Sequence, residues 1–230
     1  MSTLLLRLAG PMQSWGTQSR FSVRDTGMEP SKSGVIGLLC AALGRPRDQP
    51  VDDLAGLAMA VRVDREGVLK RDYHTAQNVA TAGGRIKDCE PSTRYYLSDA
   101  DFLVGLEGEK GQDEFLNRLS DALAAPEWPV YLGRKSFVPG IPVCLPQGRG
   151  LCSGADALTA LKNYPWQPWS PRDKRPAKLR LVVECGPDEG EVRDDVPLSF
   201  AERAFTIRYV KTEFCDTPPA VDGPEDAACS

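Results

Sequence analysis

The stretch that decides the fold is Ser2 to Gly44, STLLLRLAGPMQSWGTQSRFSVRDTGMEPSKSGVIGLLCAALG. Residues 2–9 are apolar, short and closed by Gly10-Pro11, which predicts a strand. Ser31 or Ser33 then caps a helix through Leu43. Val35, Ile36, Leu38, Leu39, Ala42 and Leu43 recur at helical spacing, and Gly44 with Pro46 ends the run. A polar, arginine-dotted loop joins the two. Ser31-Lys32-Ser33-Gly34 sets a lysine and two hydroxyls at a helix entrance, where free backbone N–H groups and the positive end of the dipole make a candidate clasp for one phosphate. Simple capping is the alternative reading of the same residues.

Working outward, residues 57–76 alternate apolar and polar on either side of Arg65-Glu66-Gly67, the signature of a β-hairpin. Residues 77–93, QNVATAGGRIKDCEPST, are too polar for core and too long for an idle turn, which predicts a functional or disordered loop. Strand character resumes over 94–108, and residues 112–125 form an amphipathic helix with Phe115, Leu116, Leu119 and Leu123 on one face. A further strand over 128–140 leads into a basic turn. The order β, α, β, β, α, β is that of a ferredoxin-like split βαβ fold, hence an α+β class. Beyond Pro139 the chain predicts a short helix at 154–162 and strands at 179–186 and 205–214. The expected organisation is a palm over 1–140 with an excursion at 77–93, a smaller β-rich part over 141–214 packed on it, and an acidic tail over 215–230, whether ordered or disordered.

Composition bounds the function. The 230 residues are 41% hydrophobic and 26% charged, as in ordinary soluble proteins. No run approaches the ~18 apolar residues of a membrane span, and Arg7 interrupts the apolar start too early for a signal-peptide core, so the expected location is the cytoplasm. Seven cysteines without a CxxC pair predict reduced thiols rather than a disulfide framework or a zinc site. Residues 185–230 hold 4 Lys/Arg against 11 Asp/Glu, a net of −7, so the first 184 residues, with 24 against 21, carry +3. A mildly basic body with an acidic tail allows a local phosphate-binding surface.

Catalysis is tested on the lone histidine. His74 sits in RDYHT with Lys70 and Tyr73 nearby, a trio that could cleave RNA without metal. On a strand, however, Lys70, Asp72 and His74 share one face while Tyr73 points to the other. No carboxylate cluster, GxSxG or HExxH is present, and the Lys-Ser pair lacks the GxxxxGKS frame, so neither metal nor cofactor is expected. Basic pairs gather where strands end: Arg20 and Arg24, Arg85 and Lys87, Arg134 and Lys135, then Arg172, Lys174, Arg175 and Lys178. Trp15, Phe21, Tyr73, Tyr95, Phe137, Trp166 and Trp169 intersperse with them. Interleaved cations and flat rings suit a single-stranded nucleic acid.

LLLRLAGPMQSWG, PSKSGVIGLLCAALG, RDYHT, YYLSDADFLVGLEG and PVYLGRKSFVP follow one another across about residues 3–140, with a weaker echo at 197–210. Together they resemble the CasD-type subunits of the subtype I-E CRISPR surveillance complex, Cascade, within the RAMP superfamily. The resemblance implies an RRM-like palm with a protruding thumb in the place of residues 77–93. It also implies a non-catalytic subunit that caps the 5′ handle of the CRISPR RNA, docks on the backbone filament subunit and contacts the large subunit near the site of target DNA entry. Gly10 to Gly16, with Gln13, Ser14 and Trp15, and Ser31 to Gly34 match the handle-binding surface, Gly133-Arg134-Lys135 matches a later RNA-facing turn, and RDYHT matches with His74 included. Arg24, Lys32, Arg85, Lys87, Arg134 and Lys135 are the expected phosphate partners, with Gln13 and Ser14 reading bases. Because a related subtype I-C subunit cuts RNA with a Tyr/His/Lys set, a metal-independent repeat endoribonuclease using His74, Tyr73 and Lys70 is the alternative. A pure protein-interaction subunit is the second. The reading expects Lys32, Arg134 and the Gly83-Gly84 loop on one exposed patch.

Overall fold

The computed structural model describes residues 1–18, 22–81, 83–146, 149–170 and 173–220. Strand β1 (Ser2–Ala9) is followed by the two-residue strands β2 (Met12–Gln13) and β3 (Val23–Arg24), helices α1 (Lys32–Ala42) and α2 (Asp52–Ala55), and strand β4 (Ala58–Arg65). Strands β5 (Val68–Ala80), β6 (Ile86–Ser98) and β7 (Asp101–Gly108) lead to helix α3 (Asp113–Ala124), strand β8 (Leu151–Ser153) and helix α4 (Ala157–Asn163). Strands β9 (Lys178–Cys185), β10 (Glu191–Ser199) and β11 (Ala204–Asp216) are the last elements among the described residues.

One sheet runs β10-β11-β9-β4-β7-β1-β8, and all its pairings are antiparallel. Strand β1 lies inside it and is buried along its whole length because both faces are covered. Leu4, Leu6 and Leu8 join Val35, Ile36, Leu39, Leu116 and Leu119 in the core under α1 and α3. On the opposite face Leu5 packs with Leu103, Leu161, Leu181 and Val183 under α4. Thus the alternation that usually separates core from solvent here separates two cores.

Arg62 shows how tightly α4 is held. Its fully buried guanidinium clasps Asp64 through two bonds of 2.6 and 2.9 Å and donates to the Leu161 and Tyr164 carbonyls at the end of α4. A cation at a helix carboxyl terminus satisfies orphan carbonyls and opposes the dipole.

Several expectations are corrected. Residues 57–76 do not form a hairpin: β4 pairs with β7 and β9, whereas β5 pairs with β6 in a second, four-stranded sheet with β2 and β3. The chain crosses between sheets at Glu66-Gly67, where Gly67 takes φ +73° and a Cβ would stand 2.8 Å from that of Ala100. Residues 77–93 are not a loop. The β5–β6 ladder continues to Ala80↔Ile86, and beyond it the Thr81 N–H donates to the Arg85 carbonyl at 2.8 Å. A ribbon bathed in solvent on both faces needs no apolar alternation, so the sequence pattern that marks strands is missing there.

Residues 128–140 form an irregular segment rather than a strand, tied by Leu132 N–H to Phe137 O (2.7 Å) and Gly140 N–H to Ala9 O (2.9 Å). The place beside β1 is taken instead by β8, three residues long. Strand β10 carries Pro197 and two register shifts, which hid it from a period-two reading. Residues 215–220 are ordered partners, since β11 reaches Asp216 and Trp166 bridges to Ala220; residues 221–230 lie outside the described residues. None of the six described cysteines forms a disulfide. Among the described residues no helix is long and apolar enough to cross a membrane.

Arg62→Leu would leave the Asp64 carboxylate and two helix-end carbonyls without their buried partner. The expected loss is about 3–5 kcal/mol of unfolding free energy, read as a lower urea midpoint at unchanged slope.

Candidate nucleic-acid interface

The loop after β1 is pinned from inside. Gln13 is wholly buried, and its side-chain amide donates to the carbonyls of Leu8 (3.0 Å) and Ala100 (2.8 Å) while its oxygen accepts from Trp15 Nε1 (3.1 Å). These bonds join the end of β1, the β6–β7 junction and the loop. Gln13 and Trp15 are therefore anchors; neither offers an edge to a base. Ser14 is buried too, with its N–H on the Leu132 carbonyl at 3.1 Å and its hydroxyl 3.3 Å from the carbonyls of Asp25 and Tyr95.

Outside these anchors opens a cleft of about 370 Å³ lined by Ser14, Gly16, Arg24, Asp25, Arg94, Gly133 and Arg134. Arg24 and Arg94 are partners in the parallel β3–β6 pairing, and Asp72 sits opposite Arg94 across the β5–β6 ladder. Arg134 arrives from the irregular 128–140 segment, donates to the Tyr95 carbonyl at 2.8 Å and lies over the Phe137 ring with its carbon 5.4 Å from the centroid. Gly133 makes this approach possible: φ is +86°, and a Cβ would stand 1.7 Å from the Ser14 carbonyl oxygen.

Three guanidiniums thus share one cleft. Burial, then the charges of Arg94 and Arg24, lower the pKa of Arg134, with Asp25 and Asp72 opposing. A guanidinium that neighbouring cations make costlier to hold is one that an anion relieves. Arg94 is not among the cations expected from the sequence, because its places opposite Asp72 and beside Arg24 arise only in the fold.

The other expected contacts scatter. Lys32 is buried, its ammonium 3.1 Å from Glu184, and the α1 amino terminus is occupied by the chain itself: Lys32 N–H donates to Asp195 at 2.8 Å, and Ser31 accepts from Gly34 N–H at 3.3 Å. Arg208 joins the same carboxylates, at 2.6 Å from Asp195 and 3.0 Å from Glu184. Burial lowers the Lys32 pKa despite Glu184. Ser31 and Asp195 thus cap the helix and Lys32 is neutralised by Glu184, so the expected phosphate clasp is corrected; Ser33 is half-buried beside them.

Arg85 and Lys87 lie exposed toward the tip of the β5–β6 hairpin, Lys87 paired with Glu90. Strands rise ~3.3 Å per residue, so the Gly83-Gly84 tip stands roughly 30 Å along the ribbon from Arg94. The single patch expected from Lys32, Arg134 and this tip is therefore not formed; Arg24, Arg94 and Arg134 form one without them. Lys135 is exposed beside Arg134. Arg20, Phe21 and Arg172 lie outside the described residues.

His74 is half-exposed, with Nδ1 3.8 Å from Asp72. The ladder puts Lys70, Asp72 and His74 on the Arg94 face of the ribbon and turns Tyr73, 69% exposed, to the other. No three-residue cluster of His, Cys, Asp or Glu among the described residues could hold a metal ion.

An antiparallel sheet backed by helices, with a second sheet drawn out into a hairpin, is a Cas5- and RAMP-like structure. The chain belongs to the Cas5 family of CRISPR-associated proteins, whose model matches residues 3–211. It is 37% identical over 178 residues to the CRISPR system Cascade subunit CasD of Escherichia coli K12, across 71% of this chain and 77% of that protein. It superposes on a crystal structure of a Cas protein with a TM-score of 0.76 at 45% identity, covering 96% of this chain and 100% of that one. On a chain of a CRISPR RNA-guided surveillance complex the TM-score is 0.79 at 35% identity, covering 98% and 95%. The resemblance to CasD-type subunits seen in the sequence is borne out.

Gly133→Ala should displace the turn that carries Arg134. A loss of about 1–3 kcal/mol in thermal unfolding is expected, together with loss of the Arg134–Tyr95 contact, measurable as altered Arg134 side-chain NMR signals.

Proposed function

We propose that this chain is a CRISPR RNA-binding subunit of a Cascade-type surveillance complex, gripping the 5′ handle of the guide at the Arg24–Arg94–Arg134 cleft without cutting it. The observation that carries the reading is the convergence of three guanidiniums on one open cleft, in a chain so similar to CasD and to part of an RNA-guided complex. Phosphates would add to the counter-charge of Asp25 and Asp72, and the Phe137 ring supports the Arg134 guanidinium from one side.

The palm of this reading is ferredoxin-like. Strands β1, β4, β7 and β8 lie in the order β4-β7-β1-β8, with α1 linking β1 to β4 and α3 between β7 and β8. The β5–β6 hairpin serves as the thumb, carrying His74, Arg85 and Lys87 along bent nucleotides beyond the cleft, with Lys135 as a further contact. Residues 141–214 support the palm through β9–β11. The chain would meet a backbone filament subunit and the large subunit, close to target DNA, in the cytoplasm. The nuclease alternative is disfavoured by the ribbon, which keeps Tyr73 on the face away from His74 and Lys70.

For single strands the log–log salt slope of binding changes by about 0.7 per phosphate contact. Replacing Arg24, Arg94 and Arg134 together by Ala should flatten the slope for handle RNA by about 2, in fluorescence anisotropy between 50 and 200 mM salt. Lys32→Met should leave the slope unchanged while lowering the melting temperature; equal slopes for wild type and the triple variant would refute the cleft. Incubation of repeat RNA with the protein in EDTA should yield no discrete cut, whereas a cut abolished by His74→Ala would establish the nuclease instead.

A further inference from the structure

Helix α4 covers only part of its face of the large sheet. It packs on β1, β7 and β4 and shares a core with Leu181 and Val183 of β9, and beyond it β11 and β10 carry no second helix on this face among the described residues. On that bare face Phe205 and Ile207 of β11 are 40% and 50% exposed, and Val192 of β10 is 56% exposed. They are neighbours: Val192 pairs with Tyr209, and Phe205, Ile207 and Tyr209 follow one another at the period-two spacing of a single face. The same alternation puts Lys211 and Glu213 on this face, continuous with a groove of about 220 Å³ between the start of α4 and strands β4, β9 and β11.

The rim of this surface is acidic. Glu107, Asp156 and Glu213 line the groove, Asp194 stands opposite Ile207, and the Lys211 ammonium is held by Glu189 at 3.1 Å and Glu213 at 3.6 Å. We propose that this face docks an amphipathic helix of another protein subunit, an apolar stripe flanked by Lys and Arg.

Size and charge select that occupant. Strands β11 and β10, each taking up ~4.8 Å of sheet width, present a strip roughly 10 Å wide, the diameter of one helix lying beside α4 in the same layer. Contiguous exposed aromatic and β-branched side chains on a sheet mark a binding surface. Carboxylates repel nucleic acid, whose binding needs cations. They equally repel a second copy of the same acidic face, and the chain's own residues 221–230, which carry Asp222, Glu225 and Asp226 without Lys or Arg. A basic-flanked helix satisfies both the apolar floor and the rim.

The inference rests on the reading of the chain as a subunit of a multiprotein complex, and its test is separable from handle binding. The complex is assembled from all its protein subunits and guide RNA with a photo-crosslinking phenylalanine analogue at position 207. A crosslink to one Lys/Arg-flanked helical segment of another subunit is expected. Phe205→Glu with Ile207→Glu should cost that subunit at least tenfold in occupancy by native mass spectrometry, while handle RNA affinity of the isolated chain stays within twofold. Should the double variant melt below the wild type, Asp194→Lys, at an exposed position, decides by the same occupancy readout, with a loss of at least threefold expected. Crosslinks confined to RNA, to residues 221–230 or to a second copy, or full subunit occupancy in the deciding variant, would overturn the proposal. Loss of handle binding in the wild type would overturn the proposed function instead.

Discussion

The buried amide of Gln13 is the contact on which the interface depends. A primary amide taken out of water must find partners for both ends, since leaving one unmet costs on the order of 1–3 kcal/mol. Gln13 finds them in three places: the Leu8 carbonyl at the end of β1, the junction at Ala100 and the Trp15 indole. This fixes the origin of the loop relative to the root of the hairpin. The β3 pairing then brings Arg24 beside Arg94, and Ser14 receives the Gly133 turn that delivers Arg134. Polar satisfaction in the core thereby sets the spacing of charges at the surface.

A second internal network ties the carboxyl-terminal strands to the first helix. Asp195, Glu184, Arg208 and Lys32 neutralise one another at the α1 amino terminus. Next to it Arg180 of β9 clasps Glu66 at the root of the hairpin and Glu29 in the loop before α1. Side-chain bonds to Glu66 raise the Arg180 pKa, so its charge is secure under all ordinary conditions. The strands that contribute nothing to the cleft itself thus brace both of its walls.

Much of this was legible in the residues. Helices α1 and α3 follow from their apolar spacing, and β1 from its apolar run between Ser2 and Gly10-Pro11, because each buries a continuous stripe. The family was legible from five ordered segments. The outer half of the long hairpin was not, since residues 77–93 bury little and carry no period-two pattern; β8 and the bulged β10 escaped because three residues and a proline-bearing edge give too weak a signal. The fate of Lys32 depended on Asp195 and Glu184, more than 150 residues away, and no local pattern announces such a partner. Arg94 was overlooked because its significance lies in a parallel pairing with Arg24 that forms only in three dimensions.

Gly83 and Gly84 at the hairpin tip have nothing within reach of an added Cβ. Length changes there would disturb no packing and cost only the slowly growing entropy of closing a turn. Adding two residues to each arm would move the tip outward by about 7 Å while returning every side chain to its original face. The ribbon is therefore a ruler with a discrete step, free to vary in reach between related proteins while its cationic base stays where the core holds it.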